Sequence, residues 1–336
     1  MQREAYYDNA RFLLILLVVF GHLLTPFTDK SHIGSTFYWL IYTFHMPAFI
    51  LISGYFAKGF RKKGYVGKIA KKLVIPYFMF QAIYAIYYVF IHKKDSFVVD
   101  PFDPQWSLWF LLSLFFWNLL LYVVTKFDWK WTLPVTLVLG VLVGYISFVG
   151  NYLSLSRTFV FLPIFLAGFY MKHEHFKWLQ NIRVRIGAIS VISIGFLVFY
   201  FIPEFNSDWL LGSKSYEVLN VGALGGLYRS LWYIGTFIIT FSFLSLVPSK
   251  QYFFTDLGGR TLYVYLLHGF IIQYVRNANV FDLNNWQDFV LLSLVALGLT
   301  FLLSSRVVYI VTQPIIEFKT TKLRHLLSSR TEIGQR

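Results

Sequence analysis

RFLLILLVVFGH, residues 11–22, is the stretch whose reading decides the fold. It is an unbroken apolar run with Arg11 at its first position and His22 at its last. On an α-helix eleven residues turn through about 1100°, roughly 20° past three full turns, so the guanidinium and the imidazole share one face, about 16 Å apart along the axis. Extended through residue 29, the run is long enough to span a bilayer. Ionisable groups at that depth are costly in lipid; they turn toward the protein interior and point to a functional site.

The rest of the chain has the composition such a helix needs. Of 336 residues 57% are apolar, 21% aromatic and only 14% charged, which excludes an ordinary soluble domain. Apolar runs bounded by charge or by Pro, Gly and Asn fall near 11–29, 36–57, 73–92, 106–125, 132–149, 157–171, 186–203, 228–247, 261–275 and 288–311, the last taking in Arg306. The expectation is an all-α, polytopic transmembrane helical bundle of about ten transmembrane helices. Because further spans come after the first run, it reads as part of the fold and not as a removed signal.

Of the 30 Lys and Arg, 22 fall on the side of the N-terminus and seven on the other, which places both termini in the cytoplasm. Residues 1–319 read as one membrane domain and 320–336 as a basic cytoplasmic tail drawn to anionic lipid. This bias accounts for the formal charge of +14, and without a basic patch interleaved with aromatics no nucleic-acid partner is expected. The absence of cysteine removes disulfides, thiolate metal sites and a thiol nucleophile together.

Among eight histidines, His22, His45 and His268 lie within runs, and no Asp or Glu sits in the body of one. A proton-coupled transporter carries intramembrane carboxylates as its relay, so that class is disfavoured. Counted from their ends of the spans, the three imidazoles reach the middle or inner half of the bilayer and can share a cavity; the alternative is three core histidines bonding helices together. No His-x3-His or carboxylate spacing accompanies them, so no metal is expected.

FHMPAFILISGYF, residues 44–56, places Pro47 inside a span, which a bundle tolerates where neighbours or a cavity satisfy the freed carbonyl. Ser53 and Gly54 suit a packing seam as well as a site, and Tyr55 offers a hydroxyl near the inner face. No G-x-S-x-G elbow occurs, which disfavours a serine hydrolase. The next loop carries Lys58, Arg61, Lys62, Lys63, Lys68, Lys71 and Lys72. Seven cations exceed what orientation requires and would hold a polyanion, with Lys71 and Lys72 nearest the membrane; topology and lipid headgroups are the competing explanation. Farther on, Gly258 and Gly259 with Arg260 and Thr261 offer backbone amides ahead of a helix. Arg157 reads first as an interfacial arginine, and Trp106 and Trp109 as belt residues.

In order and spacing these motifs resemble those of the acyltransferase 3 family of integral-membrane acyltransferases, including its fucose-4-O-acetylase-like and polysaccharide O-acetyltransferase branches. Asp8-x-x-Arg11 with His22, FHMPAFILISGY, KKLVIPYF from Lys71, WFLLSLFFW from Trp109, RTFVFLPIFLAGF from Arg157 and GGRTLYVYLLHGF from Gly258 each look like a family signature, covering roughly residues 8–317. Arg260-Thr261 departs mildly, standing where relatives often have a serine. The resemblance implies a bacterial plasma-membrane enzyme that moves an acyl group, usually acetyl, from cytosolic acyl-CoA to a hydroxyl of a sugar or lipid-linked cell-envelope glycan. It implies Arg11 and His22 as the essential pair, and Lys71 and Lys72 near the coenzyme A phosphates. Some relatives carry an extracytoplasmic hydrolase-like domain; none is legible here, which leaves a separate transferase partner as an expectation.

The resulting expectation has coenzyme phosphates on Arg11, Lys71, Lys72 and the Gly258–Gly259 turn with Arg260, and His22 as general base. His45, His268, Tyr55 or Tyr265 would orient the acceptor or stabilise the oxyanion. An acyl-histidine or acyl-tyrosine relay fits the same residues. The alternative from another class is a transporter or flippase of an anionic lipid-linked sugar, which explains the spans and the basic loop but not the Arg11–His22 register.

Overall fold

The computed structural model describes residues 4–92, 100–278 and 280–318. Their helices are α1 (Ala5–Leu24), α2 (His32–Phe56), α3 (Tyr65–Ile69), α4 (Ile75–His92), α5 (Trp109–Val124), α6 (Trp129–Leu142), α7 (Leu155–Tyr170), α8 (His173–Leu179), α9 (Ile182–Phe201), α10 (Asp208–Leu211), α11 (Gly225–Leu246), α12 (Thr261–Asn277), α13 (Trp286–Ser304) and α14 (Arg306–Glu317). No strand occurs among the described residues. Lys93 and Lys94, two of the seven cations assigned to the outer side, and the basic tail 320–336 lie outside them.

Each of the ten apolar runs carries a helix. Seven helices, taken with their flanking turns, are long and apolar enough to cross a membrane, so the chain is a multi-pass membrane protein. Three others on the expected runs are shorter, α5 with 16 residues, α6 with 14 and α12 with 17.

Two boundaries differ from the sequence reading. The last run is broken: Ser305 takes an extended backbone at ψ 157° and its hydroxyl accepts the Val308 amide at 3.3 Å. Arg306 therefore opens a separate amphipathic helix instead of lying within a span. At the other end α1 starts at Ala5, six residues before the apolar run, and carries Asp8 and Asn9 into the buried interior. Asp8 is the carboxylate that the sequence reading left outside the span, and its Oδ1 lies 3.3 Å from Nη1 of Arg11.

Helix α1 is the axis on which the site is built. It packs against α2, α12, α13 and the 3-10 turn Thr255–Arg260. Asn9 fixes that turn: its amide nitrogen donates to the carbonyls of Pro248 at 2.9 Å and Lys250 at 2.8 Å, while its oxygen accepts from the Thr255 hydroxyl at 2.7 Å. Gly258 then lies so close to α1 that a Cβ there would sit 2.0 Å from the Asp8 carbonyl oxygen. The residue is glycine because two backbones touch.

Contact between α2 and α7 is equally close. A Cβ on Gly54 would sit 1.9 Å from the Phe165 carbonyl oxygen, and one on Gly168 would sit 1.9 Å from that of Leu51. Reciprocal small residues let the two backbones meet, which is how membrane helices gain packing energy without a hydrophobic drive. Pro47 lies buried within α2.

Gly168→Val should therefore cost roughly 1–3 kcal/mol or more through overpacking and lower the thermal midpoint in detergent, followed by tryptophan fluorescence. Gly187→Ala on α9, where nothing stands within 4 Å of the new carbon, should be neutral or slightly stabilising. Equal midpoints for the two variants would contradict the seam.

Candidate active site

Two chambers lie end to end beside α1. The first, of about 340 Å³, lies toward the N-terminal end of α1 and is lined by Arg11, Ser53, Tyr65, Lys72, Asn118, Gly258, Gly259 and Thr261 among apolar neighbours. The second, of about 310 Å³, lies at the other end of α1 and is lined by His22, Tyr38, Tyr42, His45, Trp106, Trp109, Arg157 and Arg276 among others. Val18, Met46 and Tyr265 line both and form the divide. The three-turn register of α1 thus puts Arg11 in one chamber and His22 in the next, with Val18 between them on the same stripe.

In the first chamber the Arg11 side chain is 29% exposed, and its guanidinium stands 4.5 Å from the centroid of the Phe56 ring. Lys72 comes from the π-helical turn Ala70–Val74 that joins α3 to α4, an irregularity frequent at functional sites. Within this widened turn Lys72 lines the chamber while its neighbour Lys71 does not. Tyr65 closes the mouth by donating to Oδ1 of Asn118 at 2.7 Å. The Ser53 hydroxyl donates back to the Phe49 carbonyl at 2.8 Å. Arg260 lies outside the lining, with Nη1 donating to the Ser304 carbonyl at 2.9 Å, so it ties the start of α12 to the end of α13. Tyr55 also points elsewhere, stacked on Tyr7 at 5.1 Å.

The second chamber gathers His22 and His45, while His268 stands beside His22 without belonging to the lining. Nδ1 of His22 is 3.0 Å from the Tyr42 hydroxyl, and its ring centroid lies 5.5 Å from that of His268. Nδ1 of His45 is 2.7 Å from the Ile41 carbonyl, and Nδ1 of His268 is 2.9 Å from that of Val264. A carbonyl only accepts, so both nitrogens carry the proton and each neutral ring presents a bare Nε2. Nε2 of His268 is buried and has no partner. No group of three or more His, Asp or Glu among the described residues is arranged to hold a metal ion.

Trp106 forms one wall, and a loop built for the purpose delivers it. Buried Gln81 on α4 donates to the carbonyls of Asp100 at 2.7 Å and Asp103 at 2.6 Å and accepts the Gln105 amide at 2.9 Å, which draws the loop into the bundle. Tyr77 holds the Pro101 carbonyl at 2.8 Å, and the Tyr265 hydroxyl donates to the Ser107 carbonyl. Trp106 itself sits at φ 46°, a left-handed conformation that a bulky residue keeps only when its surroundings impose it. Its ring lies 4.4 Å from His22 and 5.0 Å from His268, between centroids. Space for it comes from Gly269, where a Cβ would fall 2.2 Å from the indole.

Three residues read as interface markers therefore belong to the site. Trp106 and Trp109 face the chamber instead of forming an outer belt. Arg157 turns inward too, its Nε donating to the Leu211 carbonyl at 3.1 Å and its guanidinium 5.1 Å from the Trp109 ring. The sequence reading missed Arg276, Tyr38 and Tyr42. Tyr38, Tyr42 and His45 have i, i+4, i+7 spacing along α2, a stripe that would have revealed two of them. Arg276 carried no such signal, since it comes after the apolar run and counts as a loop cation until α12 is seen to extend to Asn277.

Comparison with known proteins bears on the same residues. Two curated relatives are each called nodulation protein NolL. One, from Mesorhizobium japonicum (strain LMG 29417 / CECT 9101 / MAFF 303099), is 31% identical over 141 residues, 38% of this chain and 37% of its own length. The other, from Sinorhizobium fredii (strain NBRC 101917 / NGR234), is 33% identical over 129 residues, 34% of this chain and 35% of its own length. The matched region thus spans little more than a third of these relatives. No solved structure matches the chain. Residues 4–305 match the acyltransferase domain model, a stretch that takes in Arg11, His22, both chambers and the loop carrying Trp106, and the chain belongs to the acyltransferase 3 family.

Proposed function

We propose that the protein is a membrane-embedded O-acyltransferase, moving an acyl group, in the first instance acetyl, from cytosolic acyl-CoA to a hydroxyl of a cell-envelope sugar in the bacterial plasma membrane. The observation that carries the reading is the pair of chambers joined at Val18, Met46 and Tyr265, with Arg11 and Lys72 in the first and the imidazoles of His22 and His45 in the second. Two substrates of different chemistry need two rooms and one meeting point. The first chamber suits the donor: Arg11 and Lys72 line it, the Gly258–Gly259 turn adds backbone, and its lining is otherwise largely apolar, as a thin pantetheine arm requires. In this reading Lys71 and Arg260 serve at the rim, and Asp8 holds Arg11 in place.

The acceptor hydroxyl lies at His22. Nδ1 of His22 is 3.0 Å from the Tyr42 oxygen, and in the tautomer whose Nδ1–H donates to that oxygen Nε2 accepts a proton. It takes that proton as the hydroxyl oxygen attacks the thioester carbonyl. Collapse of the tetrahedral intermediate breaks the carbon–sulfur bond, and the departing thiolate recovers the proton from the imidazolium. Neutral His45 offers a lone pair to the chamber, which suits accepting from a sugar hydroxyl and thus orienting the acceptor, while buried His268 stands beside the His22 ring outside the lining. Oxyanion stabilisation falls to a donor, the guanidinium of Arg276, since the one proton of the Tyr265 hydroxyl is already given to the Ser107 carbonyl.

His22→Ala should reduce acetyl transfer by about 100-fold or more while coenzyme A affinity holds, measured with radiolabelled acetyl-CoA and membranes from cells expressing the full chain. Transfer at the wild-type rate would remove His22 from the chemistry. Arg11→Ala should raise the Kd for coenzyme A about tenfold, read by calorimetry on purified protein; an unchanged Kd would move the donor elsewhere. Gly269→Ala should displace Trp106 and lower turnover with donor affinity intact, so a loss confined to donor binding would break the two-room assignment. Product analysis of envelope glycans by mass spectrometry, with and without the protein, identifies the acceptor.

A further inference from the structure

We infer that the second chamber selects an acceptor bearing an anionic group, a sugar carboxylate or a sugar phosphate, which docks on Arg157 and Arg276 beside His22. The inference deepens the acyltransferase reading and rests on it. Both arginines line the chamber, one at the start of α7 and one at the end of α12. Each is fixed without being neutralised. Arg157 is held by the Leu211 carbonyl at 3.1 Å and Asn151 Oδ1 at 3.3 Å, and lies against Trp109. Arg276 donates to the His22 carbonyl and stands 5.8 Å from the Trp106 ring centroid.

Neither guanidinium forms an ion pair with a carboxylate among the described residues, and no Asp or Glu among them lines the chamber. Nε of Arg276 is buried and wholly without a partner. Its other polar lining, His22, His45, Tyr38, Tyr42, Thr25 and Ser107, carries no negative charge. The first chamber differs, since Arg11 already has Asp8 at 3.3 Å.

A guanidinium is charged at every physiological pH. Two of them half-buried in one small chamber forgo hydration, a cost that an anion entering the chamber relieves. Their forks are preorganised by carbonyls on the far side, which leaves the remaining N–H groups for bidentate contact with a carboxylate or phosphate. A neutral sugar would bring hydroxyls for the imidazoles but leave Arg276 unbalanced and Arg157 with only the longer-range charge of Asp103. The same fork beside His22 ties acceptor choice to acceptor position, because an anion seated there fixes the hydroxyl that meets Nε2.

The test is binding of three glucose derivatives to the purified full-length protein in detergent, by calorimetry, with and without saturating coenzyme A. The probes are methyl glucuronoside, glucose 6-phosphate and neutral methyl glucoside. One anionic probe should bind about tenfold tighter than the neutral one, also with coenzyme A present, and the better of the two anions identifies the group. Arg157→Gln and Arg276→Gln should each abolish the preference, and Arg157→Lys should retain part of it. Equal affinity for all three probes, or a preference that survives in both Gln variants, would overturn the inference. Should Arg276→Gln fail to fold, Arg157→Gln with its Lys counterpart decides alone. Coenzyme A binding on the same samples reports the acyltransferase reading separately: its loss in wild-type protein defeats that reading, whereas a lost anion preference with coenzyme binding intact defeats only this one.

Discussion

An ionisable side chain on an apolar helix has to find protein, water or a partner charge, and α1 carries three such groups within fifteen residues, Asp8, Arg11 and His22. Lipid satisfies none of them. Everything near α1 answers that constraint. Asp8 partly offsets Arg11, Asn9 binds the turn that closes over the helix start, and the Tyr42 hydroxyl meets His22 from α2. Because the three groups lie on or near one stripe, the cavities that accommodate them fall in line, and a path along the helix results from the helical period alone. Glycines at 258 and 269 then let neighbouring backbone and the Trp106 ring approach where side chains would have filled the path.

The features legible in the sequence are those that local periodicity encodes. The helical bundle, the inward face of α1, and the meeting of His22 with His45 and His268 can be had from apolar runs and from counting turns. The hidden ones depend on tertiary contacts. Trp106 looks like a belt residue because a tryptophan near a span end usually is one, and only the three hydrogen bonds of Gln81 reveal that its loop folds inward. Arg157 and Arg276 carry the same ambiguity, as a positive charge at a span end marks either the interface or the mouth of a site. Lys71 and Lys72 are indistinguishable in sequence, and the π-turn, not their composition, decides which of them faces the chamber. The break at Ser305 was concealed by apolar residues on both sides, since α14 continues the hydropathy of α13 while leaving its direction.

For the proposed transfer, the divide between the chambers is where donor and acceptor would meet. Val18 and Met46 are apolar and Tyr265 is held by the Ser107 carbonyl, so the contact between rooms offers no free charge and little to hold water. A thioester is stable toward water only on the timescale of its exposure, and transfer to a sugar competes with hydrolysis whenever water reaches the carbonyl. An apolar divide between the two chambers would exclude that competing nucleophile in the proposed transfer. Met46, unbranched and readily repacked, is the lining residue of both chambers suited to yield to an acyl group in such a transfer. A flexible side chain beside a tyrosine fixed on the Ser107 carbonyl is thus what the proposed transfer would require where the two chambers adjoin.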